Sequence, residues 1–174
     1  IDMGKFILRF FLLSSAFIIL IGIFLTYFGF ETDRFNFLIK NKANEINQHA
    51  KLEFQKTKIH LNPREFNLVV KLKKPKVLIR DSKIDLSKID LFLSLKSFIG
   101  SDFLLERAEV AFVQNDIKDI TKITSIFLPR FINKGVGKIF EKGNLEGAFF
   151  IPFNKDGSIS HNYGFSGKIS EASI

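Results

Sequence analysis

Three histidines, His49, His60 and His161, are the side chains here best suited to metal ligation or proton transfer at neutral pH. None stands in a metal-ligand spacing such as H-E-x-x-H, and the chain has no cysteine to complete a site. They read as scattered surface histidines. Phosphate binding by a glycine-rich loop needs a first glycine five residues before the G-K pair and a Ser or Thr after it. Gly137-Lys138 has Ile132 and Ile139 at those places, and Gly167-Lys168 has Asn162 and Ile169. Gly135-Val136-Gly137 has Phe140 where a dinucleotide fingerprint needs its third glycine. Gly164-Phe165-Ser166-Gly167 lacks the residue that a nucleophile elbow places between its serine and second glycine. Asn154, Asp156 and Ser158 imitate the start of a calcium loop, but the bidentate glutamate is missing and a hairpin turn accounts for them. Glu106 and Glu109 are three apart, so a strand points them to opposite faces. The reading is of a chain with no catalytic residues, no metal site and no cofactor, hence not an enzyme.

What remains is an apolar stripe. Phe66, Leu68, Val70 and Leu72 alternate with Asn67, Val69, Lys71 and Lys73; Ile89, Leu91, Leu93 and Leu95 alternate with Asp90, Phe92, Ser94 and Lys96; Val110 and Phe112 continue the pattern. Period-two alternation marks strands with one buried face. These ten residues face inward together if the strands pair as neighbours. Two readings are open. The stripe is an ordinary sheet core covered by a helix at 116–128, or it is a greasy face left open for acyl chains.

The elements that must position this stripe begin with Phe10–Phe30, which carries no charge between Arg9 and Glu31. Twenty-one residues of α-helix rise roughly 31 Å, close to the ~30 Å hydrocarbon thickness of a bilayer. Lys5 and Arg9 precede it as a signal peptide's basic region would, but the apolar run exceeds the roughly 7–15 residues of such a peptide and no small-residue cleavage site follows. The expectation is an uncleaved anchor. Arg34, Lys40 and Lys42 follow it, so counting basic flanks does not fix the orientation. The short basic tail favours a cytoplasmic N-terminus with the remaining chain outside.

Residues 31–50 have helical spacing at Phe35, Leu38, Ile39, Ala43 and Ile46, with Thr32 or Asp33 as N-cap. This amphipathic helix is expected to cap the end of a sheet. Alternation then runs from residue 51 through short strands, with Asn62-Pro63 and Pro75 as breaks. A helical turn is expected at Ser97–Ser101. Helical spacing returns over 116–133 at Ile117, Ile120, Ile123 and Phe127, with Asp116 as N-cap, Pro129 near the exit, and Gly135 and Gly137 in the loop beyond. Two long strands follow, joined by a hairpin at Asn154–Gly157. Connections this short require antiparallel pairing. The fold class is therefore α+β: a transmembrane helix and an amphipathic helix, then a curved, mainly antiparallel sheet forming a groove, with one further helix. The chain divides into an anchor over 1–30, a capping helix over 31–50 and a sheet domain over 51–174. It stops at Ile174 within a strand pattern, which suggests a truncated chain or an early stop.

The net charge is +8 over 174 residues, +7 of it beyond residue 30. A basic surface suits anionic headgroups as well as nucleic acid. No RNA-binding phrase is present, and the aromatic residues alternate as core residues do, so a nucleic-acid partner is not expected.

The order of elements, with INQHAKLEF, then KVLIRDSKIDLSKIDLFLSLKSF and FLLERAEVAF, and later GNLEGAFFIPFNKDGSISHNYGFSGKIS, resembles the start of AsmA-like proteins and related large envelope proteins of Gram-negative bacteria. The resemblance covers residues 5–174. It implies inner-membrane anchoring, a periplasmic domain, and a β-groove that passes phospholipid between the two membranes. Membrane phospholipids, and other envelope proteins, are the partners it implies. A second reading is a closed β-domain tethered to the membrane as a structural or interaction module.

Overall fold

The computed structural model describes residues 3–46, 48–98, 104–127 and 142–173. The chain is α+β, with a long apolar helix, a short helix, a large antiparallel sheet and one further helix. Helix α1 runs Met3–Tyr27, and its side chains are exposed or half-buried throughout. None of its residues is buried, and near its C-terminal end Gly22, Leu25 and Thr26 are half-buried beside the sheet. The Thr26 hydroxyl donates to the Gly22 carbonyl at 2.7 Å, so its polar group is satisfied within the helix. Gly29 ends α1 with φ +69°, and its N–H bonds back to the Phe24 carbonyl at 3.2 Å.

Strand β1 (Phe30–Thr32) leaves that turn at once and pairs antiparallel with β3 (Thr57–Asn62). The segment 31–35 is thus not helical, as its spacing suggested. Extended pairing with β3 satisfies Phe30–Thr32, and the Thr32 hydroxyl accepts from the Arg34 N–H instead of capping a helix. Helix α2 spans Asn36–Ile46. Its first residue is tied to the sheet, since the Asn36 amide donates to the Gln55 carbonyl and accepts from the Thr57 hydroxyl.

Strands β2 (Ala50–Glu53), β3, β4 (Asn67–Leu72), β5 (Lys76–Ile79) and β6 (Ser82–Ser94) form a folded hairpin array. The 13-residue β6 pairs with β5 through its first half and β4 through its second. The ladder breaks along one line, at Phe54–Lys56, at Lys73–Pro75, and at a register shift between Leu86 and Lys88. Breaks of this kind bend strands and raise their twist. Strand β7 (Leu105–Asp116) follows, then α3 (Ile117–Phe127), β8 (Lys142–Pro152) and β9 (Gly164–Ser173), giving the order β1-β3-β4-β6-β7-β8-β9. Asp116 caps α3 by accepting from the Lys118 N–H at 2.8 Å. Pro129, Gly135 and Gly137 lie outside the described residues.

Two apolar clusters share one face of this sheet. Phe54, Val70, Leu72 and Ile89 form the first, with Ile39 of α2 and Leu52 against it. Ile84, Phe112, Ile120, Leu145 and Phe149 form the second, beneath α3. Leu86 and Val110 touch both.

Candidate functional site

Residues directly opposed in antiparallel pairs point to the same side of a sheet. The pairing therefore sorts the predicted stripe into cross-strand rows. One row is Thr57–Leu72–Ile89–Val110–Phe149–Phe165. The next is Ile59–Val70–Leu91–Ala108–Ile151. The last is Leu61–Leu68–Leu93–Leu105. Eight of the ten predicted residues, Leu68, Val70, Leu72, Ile89, Leu91, Leu93, Val110 and Phe112, lie on this one face.

Phe66 and Leu95 do not. Phe66 sits in the turn before β4 with φ +56° and is 62% exposed. A left-handed residue breaks the alternation, so correct spacing did not place its ring with the stripe. Leu95 opens the 3-10 turn Leu95–Phe98, and its N–H bonds to the Phe66 carbonyl at 3.3 Å. That turn begins earlier than the expected 97–101, of which residues 99–101 lie outside the described residues, and it takes Leu95 out of the strand.

Burial falls across the rows. Leu72, Ile89, Phe112 and Phe149 are buried, whereas Leu61, Leu68, Leu93 and Leu105 are only half-buried. The half-buried row reaches the long helix: a Cβ built on Gly22 would lie 3.9 Å from Leu61. An apolar strip thus runs from α1 onto β3, β4, β6 and β7.

The opposite face carries an ionic network around buried Asn67, Val69, Asp90, Phe92 and Ser94, so along β4 and β6 it is more buried than Leu68, Leu91 and Leu93. Arg107 bonds Glu65 at 2.7 Å and Glu109 at 3.4 Å, with its guanidinium 3.7 Å from the Phe92 ring centre. Lys88 links Asp90 at 3.0 Å and Glu109 at 3.2 Å. Burial opposes the charge on Lys88, yet its hydrogen bonds to Asp90 and Glu109 hold its pKa above the ordinary lysine value. Hydrogen bonds from Arg107 and Asn67 lower the Glu65 carboxyl. This network was not read from the sequence. Two of its links, Lys88–Asp90 and Arg107–Glu109, join residues two apart on one strand, but Lys88–Glu109 and Arg107–Glu65 join distant ones; the signal was the charged residues on the outward positions of β6 and β7.

Among the described residues, no three His, Cys, Asp or Glu side chains gather in a metal-binding cluster. His60 pairs across β3–β4 with Val69, and His161 is exposed. The hairpin explanation of Asn154–Ser158 fits the contacts, because the Asp156 carboxylate accepts from the Ser158 N–H at 2.9 Å and the Asn154 N–H bonds the Ser158 carbonyl at 2.8 Å. No protein-family model, curated protein or solved structure matches this chain.

Proposed function

We propose that the chain is a membrane-anchored, non-enzymatic protein of the bacterial cell envelope whose sheet offers its apolar face to phospholipid acyl chains. In this reading α1 spans the inner membrane, the N-terminus is cytoplasmic and the sheet is periplasmic, in keeping with the resemblance to AsmA-like proteins. The observation that carries it is the half-buried row Leu61–Leu68–Leu93–Leu105, which is continuous with α1 through Gly22 and Leu61. The helix is long and apolar enough to cross a bilayer. At its end stand Tyr27, Phe28 and Phe30, each more than half exposed, with Phe37 and Leu38 in the first turn of α2. Aromatic residues so placed suit the membrane–water interface. Each methylene moved from water onto the strip contributes about 0.8 kcal/mol, so binding needs no chemistry.

The burial of Val70, Leu72, Ile89 and Phe112 favours a second reading, a closed core tethered to the membrane as an interaction module. Photo-crosslinking in cells separates the two. A photoreactive residue replaces Leu93 on the strip, or Ala148 exposed on the ionic side. Radiolabelled phospholipid captured at 93 and not at 148 is the expected result. Protein adducts alone at 93 would leave the closed module as the better reading.

A further inference from the structure

A cavity of about 490 Å³ opens where β3, β4 and β6 meet the break in the ladder. Lys58, Lys71, Lys73, Lys74 and Lys88 line it, against one lining carboxylate, Asp90. Three of these lysines are in ion pairs. Lys88 lies between Asp90 and Glu109, Lys73 pairs with Glu31 of β1, and Lys71 is 4.0 Å from Asp90. Among the described residues, Lys58 and Lys74 have no ion-pair partner. Lys58 also stands directly opposite Lys71 in the β3–β4 ladder. Like charges opposed in this way destabilise a sheet. The row as a whole runs Glu31–Lys58–Lys71–Asp90, so a carboxylate also stands on the far side of each lysine. Lys74 reaches the cavity from a backbone held at φ +49°, a conformation costly for a side chain this size. The concentrated charge is felt next door: burial lowers the pKa of His60, and Lys58 and Lys71 lower it further while Asp90 opposes them. An anion between the lysines would offset the opposition of Lys58 and Lys71.

We infer that this lysine cavity is a binding site for a phosphate-bearing anion, with Lys58, Lys71 and Lys74 as its principal contacts. Lysine ammonium groups act on phosphate as mobile point charges with three donors each. The site also has an address. Lys58 is paired across strands with Glu31, which follows the end of α1 by four residues. That places it within roughly 13 Å of chain from Tyr27, at the level of lipid headgroups if α1 crosses the bilayer. A phospholipid headgroup is therefore one source of the phosphate, and a free phosphate compound is the other. The inference depends on the membrane-anchored reading only for the first source.

Lysine-reactivity footprinting of the full chain tests it. The chain is labelled with an amine-acylating reagent in nanodiscs of phosphatidylcholine, in nanodiscs containing phosphatidylglycerol, and in detergent with or without inorganic phosphate. Labelling of Lys58 and Lys74 is expected to fall at least fivefold in phosphatidylglycerol relative to phosphatidylcholine, with Lys155 on the distant hairpin unchanged. Protection by inorganic phosphate in detergent would keep the site and make a free anion its ligand, independently of any membrane or apolar strip. No protection under any condition, or equal protection of Lys155, would overturn the proposal. A control on structure accompanies it. Lys58→Gln is expected to leave thermal stability unchanged without anion, since it removes the opposition to Lys71 together with the attraction to Glu31. A fall would make Lys58 a structural partner of Glu31 and overturn the assignment.

Discussion

At the scale of single residues, His60 shows how neighbours set a property that sequence spacing alone does not show. It sits in β3 at the joint with α1, where a Cβ on Gly29 would lie 2.8 Å from its ring. Burial is the main force lowering its pKa below 6.5, with Lys58 and Lys71 adding to it. A histidine with a depressed folded pKa costs nothing above about pH 6.5, where it is neutral in both states. Below that, the unfolded chain takes up a proton first, so stability falls as pH falls through the folded pKa. His60→Gln is expected to flatten the dependence of stability on pH between about 5 and 7, measured by thermal unfolding in detergent. An unchanged slope would show that His60 titrates as it does in the unfolded chain. Arg107 makes a different case. Its planar guanidinium stacks on Phe92 while bonding Glu65 and Glu109. An ammonium cannot do all three, so Arg107→Lys is expected to cost about 1 kcal/mol, read as a shift in thermal midpoint.

At the scale of elements, Gly29 decides how the long helix joins the sheet. It adopts φ +69°, and a Cβ there would meet the Ile59 carbonyl at 2.8 Å as well as the His60 ring. Gly29→Ala therefore faces both a strained backbone and a contact with main chain that cannot move aside. A loss of more than about 1 kcal/mol is expected, with faster hydrogen exchange in β1 and β3 and little change in β8 and β9. Uniform change would mean that the joint is not a local constraint. The apolar helix was legible, although the expected span was Phe10–Phe30 and the helix runs Met3–Tyr27. So was the alternation of β4, β7 and the second half of β6; the first half of β6, where it pairs with β5, was not. Strand β1 was not legible either. Three residues carry no period, and pairing with β3 is a contact made across more than twenty residues of chain. The same limit explains Phe66 and Leu95. Alternation gives the parity of a side chain, but only the backbone says where the strand begins and ends. The ionic face escaped notice for a related reason: the links that join it, Lys88–Glu109 and Arg107–Glu65, are made only once β6 and β7 are in register and the turn before β4 is in place.

At the scale of the whole molecule, the open question is whether two clusters on one sheet make one cooperative core. Leu86 and Val110 are the only side chains common to both groups as they stand among the described residues. Leu86 also occupies the register shift that bends β6, and its N–H bonds the Pro75 carbonyl at 3.1 Å. It therefore links packing beneath α3 to packing beside α2 at the place where the sheet turns. Ile120, by contrast, is buried only in the cluster under α3. Both residues are expected to cost about 2–5 kcal/mol when replaced by alanine, with the half-buried Leu86 at the lower end. The distribution of the damage should differ. Leu86→Ala should speed hydrogen exchange in β4 and in β8 together, whereas Ile120→Ala should open α3 and β8 and leave β4 protected. That contrast follows from cooperative units being defined by shared contacts and not by strand order. If Leu86→Ala loosened only one side, the two clusters would be separate foldons on a common sheet. The half-buried strip from Leu61 to Leu105 would then lie beside a locally opening region, and access to it would be set by local unfolding of one side and not by the static exposure of its leucines.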